Sequence, residues 1–239
     1  MVSEIKADPG NPLLVPACLP DTVFDHGMES WMGRHEAVCR AVEQGDPEVV
    51  FIGDSITHFW EDTGREAWDM HFARFRPVNM GFGGDRIQHV LWRLQHGELA
   101  GIAPKVAVLL IGTNNSADNE ARHIAEGIGA ICSQIRRRLP QTRVLLLAIF
   151  PRDTPGDPRR KVNEAVNGLI AGLDDGEWIF FRDIGGFLLN GAGYIREELM
   201  DDLLHPTAAG YTRFAEALCP ILNELFTNTQ QRTMENGPS

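Results

Sequence analysis

The sequence predicts an α/β protein, a three-layer α/β/α sandwich built on a five-stranded parallel sheet. Two patterns carry that prediction. Five short, nearly unbroken apolar runs recur along the chain, as expected of strands buried on both faces. Helix-spaced segments of ten or more residues separate them, long enough for the crossovers that parallel strands need. A third observation agrees: residues capable of chemistry directly follow the apolar runs, at the carboxyl ends of strands, where open parallel sheets bind ligands.

In chain order, Trp31–Glu43 has the apolar spacing of a first helix, and Glu48–Ile52 (EVVFI) is the first strand. Phe59–Phe72 reads as one helix, and Pro77–Met80 as the second strand. The helical segment Gln88–Leu99 leads to the strand Val106–Ile111, and Glu120–Leu139 to Val144–Ile149. Arg160–Leu173 precedes the last strand, Trp178–Phe181, and Ala208–Phe226 closes the chain as a helix. No repeat, linker or second core interrupts this alternation, so residues 1–239 read as a single domain. An irregular Pro- and Gly-rich arm is expected over residues 1–25, and a disordered polar tail over 228–239.

Composition narrows the function. The 239 residues carry a formal charge of −11. That excess argues against a nucleic-acid groove, which needs clustered Lys and Arg, and against anionic lipid surfaces. A neutral small molecule is the expected substrate. The four cysteines (Cys18, Cys39, Cys132, Cys219) are scattered and form no CxxC pair, so thiolate metal binding is not expected. None of the histidines has HExxH-type spacing either; no metal and no cofactor are expected. His58, His71, His89, His96 and His123 read as mostly solvent-facing helix residues, and His26 and His35 lie in or before the first helix. The N-terminus lacks a basic segment followed by an apolar run, and no apolar stretch would span a bilayer. A cytoplasmic, reducing setting is therefore the expectation.

The candidate chemistry lies in four loops. EVVFI is followed by Gly53-Asp54-Ser55, PVNM by Gly81-Phe82-Gly83-Gly84-Asp85, and VAVLLI by Gly112-Thr113-Asn114-Asn115. Asp202-Leu203-Leu204-His205-Pro206 precedes the last helix. Hydrolysis of an ester by serine needs an exposed hydroxyl, a base and donors for the developing oxyanion. Ser55 at a strand-to-helix turn offers the hydroxyl, although Ser there is equally suited to capping the helix. Asp202 and His205, three apart in a tight loop, could orient an imidazole towards the serine, or could simply be a surface pair beside a helix start. Pro206 keeps His205 out of helical geometry, and Thr207 reads as the cap of the final helix. Gly84 offers a bare backbone N–H and Asn114 a neutral amide, both suited to an oxyanion; Asn114 could also be a turn residue. The glycine-rich turn is not a dinucleotide fingerprint, because Arg86 stands where its third glycine belongs. Each motif alone is modest, but four of them at one edge of the sheet are hard to explain as caps.

These residues resemble the SGNH (GDSL) hydrolases. The wider stretches WMGRHEAV, EVVFIGDSI, NMGFGGDRIQHVLWRLQHGEL and PKVAVLLIGTNN look like the branch formed by the catalytic subunits of platelet-activating factor acetylhydrolase Ib, which also includes bacterial acetyl- and carbohydrate-ester esterases. The similarity runs from about Trp31 to Leu225. It implies a flavodoxin-like fold, Ser55 as nucleophile, His205 as base and Asp202 as its orienting carboxylate. It further implies an oxyanion hole of the Ser55 and Gly84 N–H groups with the Asn114 side chain. GDSI stands where GDSL gives the family its name, a conservative change. The resemblance also suggests an acyl pocket walled by Ile56 and Leu204, whose bulk would favour acetyl or other short acyl groups. A homodimer is expected because the resembled family forms dimers. Rival expectations are a thioesterase, lipase-like carboxylesterase or acyltransferase, and, outside enzymes, an inactive binding subunit.

Overall fold

The computed structural model describes Asp8, residues 10–17 and residues 30–235, with side chains described as far as residue 227. Cys18, His26 and most of the expected N-terminal arm lie outside the described residues. Five parallel strands form one sheet in the order β2-β1-β3-β4-β5: β1 (Val49–Gly53), β2 (Pro77–Gly81), β3 (Val106–Leu110), β4 (Arg143–Leu147) and β5 (Ile179–Arg182). This is the flavodoxin-like order, and the chain reverses its direction of travel across the sheet between β1 and β3. In register, Gly53 lies beside Gly81 on one side and Leu110 on the other.

Alternation along the strands divides the core in two. Val50, Ile52, Ala107, Leu109, Val144 and Leu146 face a cluster closed by α1 (Trp31–Gly45), α4 (Ile87–Gln95), α5 (Ala121–Arg138) and α6 (Pro158–Ile170). Val49, Phe51, Val106, Val108, Leu110, Leu145 and Leu147 face the opposite cluster. There the cover comes from α2 (Ser55–His58), α3 (Arg65–His71) and α7 (Ala208–Glu235), with Trp60, Phe72, Tyr211 and Phe214 at its centre. Every residue of β1, β3 and β4 is buried, which explains their unbroken apolar runs. In the arm, residues 12–14 form a 3₁₀ turn that sends Leu13 into the first core, while the Asn11 amide donates to the His123 carbonyl and to Glu126 on α5.

Three expectations need correction. The single helix over Phe59–Phe72 is broken: a 3₁₀ turn at Phe59–Glu61 ends in a turn at 62–64, and α3 begins at Arg65. Asp62, Thr63 and Gly64 are poor helix formers, and the Gly64 N–H closes the turn on the Phe59 carbonyl at 2.8 Å. The last helix does not stop near Phe226; its backbone continues to Glu235, because residues 228–235 contain no glycine or proline to end it. Finally, the five histidines expected to face solvent mostly do not: His89 is buried, His58, His71 and His123 are half-buried, and only His96 is exposed; His35 on α1 is buried as well. His89 turns inward because its Nδ1 accepts the Arg86 N–H at 3.0 Å and its ring packs edge-on to Trp31. Among the described residues, no helix is long and apolar enough to cross a membrane.

Candidate active site

The site begins where β1 ends. Gly53 must be glycine: a Cβ there would sit 2.1 Å from the Thr57 hydroxyl and 2.4 Å from the Leu110 carbonyl. Asp54 then caps α2, its Oδ1 accepting the Ile56 N–H at 3.0 Å and its carbonyl accepting those of Thr57 and His58. The cap is therefore Asp54, not Ser55, which becomes the first residue of the helix with its hydroxyl released from capping. Asp54 is 1% exposed. Burial pushes its carboxyl up to about 7, and nearby Asp85 adds to this, while the Ile56 N–H and Arg152 oppose it.

Ser55 Oγ lies 2.9 Å from His205 Nε2, across 150 residues of chain. His205 Nδ1 lies 2.6 Å from Asp202 Oδ2. The other carboxylate oxygen, Oδ1, accepts the backbone N–H groups of Leu204 at 2.9 Å and His205 at 2.6 Å, closing the loop on itself. Burial works against the Asp202 carboxylate, but these N–H donors and the imidazole outweigh it and hold its pKa below the usual carboxylate value. Leu203 takes the left-handed conformation, with φ at +61°, and its carbonyl accepts the Asp153 N–H at 2.9 Å. This bolts the triad loop to the loop after β4. Thr207 caps α7 as expected, its hydroxyl accepting the Gly210 N–H. The Phe59 ring, four residues after Ser55, packs against the His205 ring with centroids 5.2 Å apart.

The other two loops meet beside β1. Gly84 is exposed and left-handed, with φ at +74°. The preceding amide, Gly83 N–H, donates to His58 Nδ1 at 3.2 Å. His58 can accept because it is neutral: burial, helped by Arg34 and Arg93 and opposed by Glu61, pushes its pKa down to about 4. Asn114 lies in a 3₁₀ turn, and it is Gly112 before it that takes the positive φ of +128°. The Asn114 amide donates one hydrogen to the Asp85 carbonyl at 2.9 Å, which holds the group while its second hydrogen remains to be offered.

Of the residues suggested for an acyl pocket, Leu204 is half-buried in the triad loop. Ile56 is 2% exposed, packed in the second core, with its carbonyl accepting the Tyr211 hydroxyl at 2.7 Å. Reading the sequence alone overlooks four contributors: Asp54 as the cap, His58 and Phe59 as neighbours of the site, and Arg93 behind it. The run Ser55 to Phe59 held a usable signal, since positions i+3 and i+4 share a helix face with Ser55. Among the described residues no group of three or more His, Cys, Asp or Glu is placed to hold a metal ion.

A hydroxyl held by an imidazole, itself held by an ionised carboxylate, is the arrangement for nucleophilic acyl transfer. The proteins the chain is similar to carry acylhydrolase and acetylhydrolase names. Residues 51–213 match the model of the GDSL-like Lipase/Acylhydrolase family. The chain is 35% identical over 218 residues to platelet-activating factor acetylhydrolase IB subunit alpha2 of Rattus norvegicus, covering 90% of this chain and 94% of that one. It is 38% identical over 217 residues to subunit alpha1 from Bos taurus, covering 90% and 92%. A solved structure described as a platelet activating factor from Streptococcus pneumonia superposes with a TM-score of 0.67 at 24% identity, over 79% of this chain and 90% of that one.

Proposed function

The chain belongs to the GDSL-like lipase/acylhydrolase family and is a hydrolase acting on esters, and on that premise we propose that it cleaves short-acyl, acetyl-type esters through Ser55, His205 and Asp202. The observation that carries this reading is the unbroken contact from the Ser55 hydroxyl through His205 to Asp202, 2.9 Å and then 2.6 Å.

In this mechanism His205 Nε2 takes the Ser55 proton as Oγ attacks the ester carbonyl carbon. The carbonyl oxygen becomes an oxyanion, met by the N–H groups of Ser55 and Gly84 and the free hydrogen of the Asn114 amide. The imidazolium is stabilised by Asp202 and returns the proton to the departing alcohol, leaving an acyl-serine. Water then gives a proton to His205 and its oxygen to the acyl carbon, which releases the carboxylic acid and restores Ser55. The substrate is a neutral small molecule, consistent with the chain's formal net charge of −11.

The bulk of the half-buried Leu204, next to the base, supports a small acyl group. So does the acetylhydrolase name of the two relatives. The test is kcat/KM on p-nitrophenyl acetate, butyrate and octanoate. A steep decline with chain length is expected; highest efficiency on octanoate would replace this reading with a lipase-like one.

A further inference from the structure

Arg93, in the last turn of α4, has no exposed surface, and its guanidinium is fully engaged. Nε donates to Asp85 Oδ2 at 2.8 Å, and Nη1 pairs with Glu98. Nη2 reaches the carbonyls of Met80 at 3.3 Å and Gly53 at 3.5 Å, and the Phe82 ring lies against the guanidinium face at 3.8 Å. Both carboxylates have second partners: Trp31 Nε1 donates to Asp85 Oδ1 at 2.7 Å, and His35 Nδ1 faces Glu98 Oε1 at 3.1 Å. All six of these side chains are at most 5% exposed. Burying such a cluster is costly, and apolar side chains of similar volume would hold the helix to the sheet as well or better. Packing alone does not account for it.

What the cluster touches suggests its use. Gly53 lies two residues before the nucleophile, at the end of β1. Met80 is the next-to-last residue of β2, just before the turn that carries Gly84. Asp85 follows Gly84 directly, and its own carbonyl holds the Asn114 amide. One rigid planar group is therefore tied to the segments that present Ser55 and Gly84, and through Asp85 to Asn114. We propose that Arg93, acting through Asp85, is a positioning residue for ester hydrolysis, fixing the oxyanion donors relative to the nucleophile. The inference rests on the esterase reading above. It assigns to the VLWRL segment a task that neither triad nor pocket gives it.

Two substitutions test it. Arg93→Lys keeps the charge but replaces a fork with a point, which cannot serve both carboxylates and both carbonyls. Trp31→Phe leaves Arg93 intact, keeps an aromatic ring among Phe82, His89 and Trp92, and removes the second donor to Asp85. Active sites are counted by fluorophosphonate labelling taken to completion, so that turnover of p-nitrophenyl acetate is expressed per competent site. Displacing oxyanion donors lowers per-site kcat, with KM held within about twofold: roughly 10- to 100-fold for Arg93→Lys and roughly 3- to 10-fold for Trp31→Phe. A purely structural role would instead reduce the number of sites and leave per-site kcat at the wild-type value, which overturns the proposal. If Arg93→Lys does not fold, Trp31→Phe decides alone. A wild-type protein that neither labels nor turns over would bring down the esterase reading and this inference with it; a normal wild type beside unchanged variants sinks only the inference.

Discussion

Replacing Asp202 by Asn separates the two jobs that its oxygens perform. Oδ1 accepts the N–H groups of Leu204 and His205 and so shapes the loop, while Oδ2 faces His205 Nδ1 at 2.6 Å. The amide oxygen of Asn can take over the first job unchanged. At the second position stands an NH₂ donor, which the imidazole can meet only by offering an unprotonated Nδ1. Its proton then sits on Nε2, facing Ser55 Oγ, and the ring can no longer accept the hydroxyl proton. Loss of the correct tautomer costs on the order of 10⁴ in kcat, about 5 kcal/mol of transition-state stabilisation. Stability should change little, because half of the Asp202 side chain is exposed and the loop keeps its backbone acceptors. The assay is kcat on p-nitrophenyl acetate alongside a thermal melt. A variant within tenfold of wild-type kcat would refute the idea that this carboxylate sets the tautomer of His205.

Asn114→Ala should lower kcat by on the order of 100- to 1,000-fold with KM little changed, as when one oxyanion donor is lost; equal losses in kcat and folded yield would contradict a role in the site. Gly81→Ala would place a Cβ 2.3 Å from the His58 nitrogen and 2.5 Å from the Thr57 carbonyl carbon, backbone that cannot yield without shifting α2. A loss of at least about 4 kcal/mol in denaturant unfolding is expected, and less than about 1 kcal/mol would show that the close packing of α2 on β2 is wrong. Asp54→Asn keeps the acceptor for the Ile56 N–H but cannot ionise. In the wild type the Asp54 carboxyl is raised from 3.8 to about 7. The stability its protonated form supplies is therefore complete below about pH 4 and lost as pH rises through about 7. The Tm of the Asn variant should gain on wild type as pH rises from about 4 to about 7 and then hold level; a gap that stays constant across that window would contradict the burial argument.

Most of the architecture could be read from the residues. The runs VVFI, VAVLL and VLLL are apolar at every position because both faces are covered, and that is what the structure shows for β1, β3 and β4. The break at residues 62–64 was harder to see, because apolar spacing continues on either side and the turn is closed by the local pair Phe59–Gly64. The helical backbone beyond residue 227 was equally hidden, since a polar sequence without breakers fits a tail as well as a helix.

The site divides in the same way. Ser55, His205 and Asp202 were legible because strand ends and one short loop confine them. Whether Ser55 capped its helix was not, for Asp and Ser are both good caps and stand side by side; only the Asp54 contact to Ile56 decides it. His58 and Phe59 could have been inferred from helical spacing once α2 was known to start at Ser55. Arg93 could not. Its meaning lies in Gly53, Met80, Asp85 and Glu98, together with Trp31 behind Asp85, which packing rather than sequence distance assembles.

The most direct measurement is fluorophosphonate labelling of wild type and Ser55→Ala, with the adduct mapped by peptide mass spectrometry and turnover of p-nitrophenyl acetate followed in parallel. One phosphonyl group on Ser55 in the wild type is predicted, with neither label nor appreciable turnover in the variant and an unchanged melting temperature. An adduct on another residue, or near-normal turnover by Ser55→Ala, would contradict the assignment of the nucleophile.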